Sequence, residues 1–187
     1  MIFMNMTDYK KKGKTALFIG LLGGLFFVFC LSACGSKSKA DFDTDLQHCP
    51  QKPSPIFREG MNGVKSAKFD LQKTQSIENI VFADNSTLEI IQMGCAQISQ
   101  EFRFELTKKQ PNRAAAEVAE VAAAKFAAIA QLDTKLVGLG NWSGMLKAVK
   151  DSLKIGEPIE LEPHHFLKLD CLSQNENSLL IVTIFEK

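Results

Sequence analysis

The side chains able to do chemistry in this chain are few and widely spaced. Five cysteines and three histidines occur in 187 residues. Two of the cysteines, Cys30 and Cys34, fall within the first 34 positions, leaving Cys49, Cys95 and Cys171 downstream. In an oxidising compartment those three would give one disulfide and one thiol left over. Cys49 stands in a proline-rich stretch and Cys95 in the turn-like "MGCAQ", so a bridge between them would anchor a loose segment; Cys95 with Cys171 is the alternative pairing. None of the three has C-x-x-C spacing with another, which speaks against a redox enzyme. His164 and His165, with Glu160 and Glu162 upstream, come nearest to a metal set. Adjacent residues on an extended chain point to opposite sides, however, so no metal site is expected there, nor at His48 beside an oxidised Cys49. No nucleophile elbow, phosphate-binding loop or H-E-x-x-H motif is present, and no catalytic residue or cofactor is assigned. Glu117 with Glu120 reads as a solvated face. Trp142, the only tryptophan, lies in the glycine-flanked "GLGNWSG" and is the candidate anchor of a binding loop.

Cys34 belongs to a different pattern. Four lysines precede an uncharged stretch, residues 15–31, and "LSAC" closes it. At 1.5 Å per residue that stretch reaches roughly 25 Å, short of a bilayer core. A basic start, an apolar run and small residues at its end are read as a secretory signal. Leu31, Ser32, Ala33 and Cys34 resemble the lipobox of bacterial lipoproteins: an aliphatic residue, two small ones, then cysteine. The resemblance covers only these first 34 residues. It implies cleavage after Ala33 and acyl groups on Cys34, where sulfur is the good nucleophile and two or three chains make a stable tether. Membrane lipid is then the first partner. Gly35, in place of the aspartate that retains such proteins at the inner membrane in enterobacterial members, implies an outer-membrane anchor facing the periplasm. Cys30 is a small hydrophobe of the discarded peptide.

The expected organisation is therefore a signal peptide over residues 1–33, a lipidated cysteine and flexible tether over 34–47, and one globular domain over 48–187. The tether's 13 residues from 35 to 47 are polar and mixed in charge; they would average about 20 Å end to end if flexible. Without the leader the chain is near neutral and has no basic run, so a nucleic-acid partner is excluded.

Within the domain the residues alternate before they turn helical. Ala67, Phe69 and Leu71 share a parity; "IENIVFA" and "STLEIIQM", joined by "DNS", read as a hairpin; and "ISQEFRFEL" sets Ile98, Phe102, Phe104 and Leu106 against Ser99, Glu101, Arg103 and Glu105. Val118, Val121, Ala122, Phe126, Ile129 and Leu132 then recur at threes and fours, the stripe of an amphipathic helix entered by Pro111 and Asn112. After the break at "GLGNWSG", Met145, Leu146, Val149 and Leu153 suggest a shorter helix ending at Gly156. "HFLKLDCL" and "SLLIVTIF" complete the pattern, the last apolar on both parities, as in a strand covered on both faces. The fold class is α+β: an antiparallel sheet of about six strands, with two helices inserted between strands four and five and packed on one face. The second face then needs cover, and the segment through "PIFREGM" or a partner could supply it.

These patterns point to a binding module rather than an enzyme. The first expectation is a membrane-anchored partner-binding or assembly accessory protein of the envelope. The alternatives are a small-ligand or hydrolase-inhibitor module using Trp142, and a hydrolase whose site carries no motif.

Overall fold

Alternating residues do become strands, and the long alanine-rich stripe does become a helix. The computed structural model describes residues 45–49, 52–95, 99–106, 114–174 and 177–186. Seven strands form one antiparallel sheet: β1 (Val64–Leu71), β2 (Gln75–Phe82), β3 (Thr87–Met93), β4 (Ser99–Leu106), β5 (Pro158–Glu162), β6 (His165–Gln174) and β7 (Asn177–Glu186). Their spatial order is β1-β2-β3-β4-β7-β6-β5, with β7 paired to β4 along its length. Helices α1 (Ala115–Ala130) and α2 (Val137–Val149) fall between β4 and β5. Residues 1–44, with the expected leader, Cys34 and most of the expected tether, lie outside the described residues, as do Ile98, Pro111 and Asn112.

One parity of each central strand faces the helices. Ile80, Leu88, Ile90, Phe102, Phe104, Leu167, Leu169, Leu180 and Val182 are buried there with Val118, Ala122, Phe126 and Ile129 of α1. Phe126 meets Phe102 and Phe104 edge to face, at centroid distances of 5.1 and 5.5 Å, the arrangement that aromatic quadrupoles favour. Alanines at 119, 122 and 123, all fully buried, let the helix lie close to the sheet.

Two expectations are corrected here. The sheet has seven strands, not about six: the missed one is β5, five residues long and proline-led at the sheet edge. "GLGNWSG" is not a loop but lies inside α2, so Trp142 stands on a helix, half-buried against the core. The break comes earlier, at a short 3-10 turn (Thr134–Leu136) whose Lys135 N–H is capped by Asp133 at 2.8 Å. Glycine costs about 1 kcal/mol in a helix relative to alanine, but packing overrides it. Gly140 lies so near α1 that a Cβ there would come within 3.1 Å of the Ala130 methyl.

The leading segment also departs from expectation. It crosses the helix-side face over β2 and β3, beside the helices. Leu46 is fully buried and its N–H donates to Lys73 O at 2.7 Å. Cys49 and Cys95 are joined by a disulfide with Cα atoms 5.4 Å apart. Pro53 and Pro55 keep the following residues out of any strand ladder, so their buried backbone groups need side-chain partners. Glu78 supplies them: its two oxygens accept the N–H groups of Ile56 (2.9 Å) and Phe57 (2.7 Å). Gln92 donates to Ser54 O at 3.3 Å, and Phe57 meets the Phe82 ring edge-on at 5.9 Å.

Glu78 is 1% exposed, and burial raises its carboxyl above the ordinary value of 4.5 despite the two backbone bonds. The folded protein therefore holds this proton more tightly than the unfolded chain. Stability from this group is full at or below about pH 4.5 and declines as pH rises through the raised value. Urea titrations across acid to neutral pH should show that decline, and Glu78→Gln should flatten it; an unchanged slope would contradict the latch. Glu78→Ala, which strands two N–H groups, should cost about 2–4 kcal/mol.

Candidate functional site: the open sheet face

The parity that turns away from the helices forms four cross-strand rows. At the end where the leading segment enters, Met93, Ser99, Phe185 and Phe166 stand side by side. The next row runs Asp70, Ile77, Ile91, Glu101, Thr183, Lys168, and the third Lys68, Asn79, Glu89, Arg103, Ile181, Asp170. At the far end lie Val81, Thr87, Glu105, Leu179 and Leu172.

Apolar and charged residues thus alternate across the strands as well as along them. Ile91 and Ile181 are only 7% and 9% exposed on a face with no second layer among the described residues. Their cross-strand neighbours are Glu101 and Arg103, long side chains whose stems can cover apolar surface while their heads stay wet. Arg103 is held in place from two sides: Nε donates to Glu101, and Nη1 to Glu89 Oε1 at 2.9 Å. Partial burial opposes the guanidinium charge, but the bonds and charges of Glu101 and Glu89 outweigh it and lift the group above its ordinary value. Lys168 pairs with Asp170 at 2.9 Å, and Phe166 stacks on Phe185 with centroids 5.6 Å apart.

At the far end the face is concave. A groove of about 920 Å³ is lined by Asn79, Val81, Thr87, Glu89, Arg103, Glu105, Asn177 and Leu179. Glu105 anchors it, accepting from the Thr87 hydroxyl (3.2 Å) and the Asn177 amide (3.0 Å). The charged side chains lining the groove are Glu89 and Glu105 and the one guanidinium of Arg103, which Glu89 holds. Carboxylates thus outnumber cations two to one in the lining, with Val81 and Leu179 beside them and the exposed Lys68 across from Asn79 on β1.

The residues singled out by spacing do not meet here. His165 lies in β6, its Nε2 3.3 Å from Glu186. His164 occupies the β5–β6 turn with φ of 69°, its N–H donating to Glu160. His48 lies 3.3 Å from Asp45 at the opposite side of the sheet's entrance end. Among the described residues no group of three His, Cys, Asp or Glu side chains is placed to hold a metal ion. Cys171, outside the disulfide, packs half-buried at the core edge. Glu120 bridges the helical layer to Lys150 at 2.5 Å. Glu101, Arg103 and Glu105 were legible as the wet parity of one strand; their partners Glu89, Thr87 and Asn177 became visible only through strand register.

No protein-family model, curated protein or solved structure matches the chain. No helix among the described residues is long and apolar enough to cross a membrane.

Arg103→Met keeps the aliphatic stem beside Ile181 and removes the charge. It should cost about 1 kcal/mol, and adding Glu101→Gln should recover part of the loss by removing one carboxylate left without its partner. Chemical denaturation of the two variants checks this; full stability of Arg103→Met would mean that the clamp holds nothing.

Proposed function

We propose that this chain is a lipoprotein of a bacterial envelope, moored through acyl groups on Cys34, whose α+β domain binds a protein partner at the open sheet face. The observation that carries the reading is the groove at the far end of that face, with its carboxylate surplus and its apolar flanks. Its chemistry fits an extended segment bearing lysine or arginine among apolar residues: opposite charges steer the encounter, and Val81 and Leu179 give the apolar residues a seat.

Two further features support the envelope setting. Cys49 and Cys95 are bridged, as suits an oxidising compartment. The leading segment joins the sheet beside the β1–β2 turn, where Leu46 bonds to Lys73, whereas the groove includes Thr87 and Glu105 at the other strand ends. The described start of the segment therefore lies at the other strand ends from the groove and does not obstruct it. The domain serves as an accessory that recruits or positions this partner, with no catalytic step of its own.

Two measurements test the reading separately. Mass spectrometry of the envelope-derived protein should find residue 34 as the first residue, carrying acyl groups; a plain thiol with the leader attached would contradict the anchor. The detergent-solubilised full chain should bind a lysine–leucine peptide more tightly than its glutamate–leucine counterpart, in a salt-sensitive manner. Glu105→Lys should weaken that binding by about tenfold or more. Equal binding of both peptides would contradict the groove.

A further inference from the structure

A second concavity lies on the helix side of the same sheet end, and the open-face reading does not use it. It measures about 260 Å³ and opens between the β2–β3 turn and the last turns of α1. Phe82, Phe104, Ile129 and Leu132 form its walls, with the backbone of Gly63 at one side. Gly63 has φ of 74°, and a Cβ there would come within 2.7 Å of Leu132 Cδ2, so the wall on that side is built on backbone. The space is slightly smaller than the pockets that hold drug-sized ligands, about 300–1,000 Å³.

The mouth holds one cation. Lys125 is half-buried among these apolar side chains and makes no ion pair with any described residue. Asp84 also lines the mouth and feels the charge of Lys125, but its Oδ1 is committed to the turn, accepting from the Ser86 N–H (2.9 Å) and the Ser86 hydroxyl (2.6 Å). An apolar slot with an ammonium at its rim is the complement of a single-chain amphiphile with an anionic head. A two-chain lipid has too much volume for it, and an uncharged hydrocarbon would leave Lys125 with only the charge of Asp84, with which it forms no ion pair.

We propose that this crevice is a binding site for a free, single-chain amphiphilic anion of medium length, such as a fatty acid, with its carboxylate on Lys125 and its chain against Phe82, Phe104, Ile129 and Leu132. The site is independent of the groove, because the two lie on opposite faces of the sheet.

Decanoate is the probe, titrated into the full chain in a non-ionic detergent and read by calorimetry and by protein NMR shifts. It should bind with one-to-one stoichiometry. Decanol, with the same chain and no charge, and the variant Lys125→Met should each weaken binding by at least about tenfold, the loss expected for one charge-assisted contact. Ala128→Phe, a change at an exposed helix position lining the slot, should abolish binding while leaving the melting temperature close to that of the parent. Lys135→Met, on the neighbouring 3-10 turn, should change nothing. Equal affinity for decanol and decanoate, undiminished binding by Lys125→Met or Ala128→Phe, or no binding below the self-association concentration of decanoate would each overturn the proposal.

Discussion

β7 carries apolar residues on both parities, and the rest of the domain is arranged around that fact. Leu180, Val182 and Ile184 enter the core beneath the helices, while Leu179, Ile181 and Phe185 turn the other way. A strand of this kind ordinarily lies between two layers, yet only one side has a layer among the described residues. The sheet meets the constraint laterally. Ile181 is flanked by Arg103 and Asp170, Phe185 by Phe166, and Leu179 by Glu105 and Leu172. The Arg103 clamp matters because it holds a long side chain in one place beside an isoleucine, and so the apolar centre stays dry while the surface stays charged. That solution leaves a mixed face with a groove at one end, better suited to a partner carrying both charge and apolar groups than to a second purely hydrophobic layer.

The other face is closed by two different materials. Helices cover β4, β7 and β6 with ordinary apolar packing. Over β2 and β3 the cover is an irregular segment held by prolines out of any ladder. Irregular backbone brings buried N–H and C=O groups with it, and these explain why Glu78 and Gln92 sit on the inward parity of their strands. The disulfide and the Leu46 contact then fix the start of the same segment. The cost of burying a carboxylate is accepted there because it satisfies two donors that nothing apolar could satisfy.

Much of this was legible in the residues. The two-beat and four-beat patterns mark six strands and α1 near their observed positions, because burial on one side alone imposes those periods. α2 was obscured by Gly138, Gly140 and Gly144, whose individual propensities oppose a helix; the recurrence of Leu136, Leu139, Ser143 and Leu146 at threes and fours was the contrary signal. β5 was hidden by its length, although Ile159 and Leu161 alternate with glutamates. The groove could not be read at all from one strand. Glu105 means little until register sets Thr87 and Asn177 within hydrogen-bonding distance, and Arg103 is an ordinary wet-face residue until Glu89 is placed across from it. Glu78 was the missed clue for the leading segment: a carboxylate on the same parity as Ile80 implies a buried partner.

The open-face reading is tested most directly by a photo-reactive residue placed at Asn79, on that face, and separately at Ala124, exposed on α1, in the full-length protein expressed in its own cells. A discrete adduct from position 79 that a lysine–leucine peptide competes away, and that position 124 does not form, is the predicted result. An adduct formed only from position 124, or none from position 79, would contradict it.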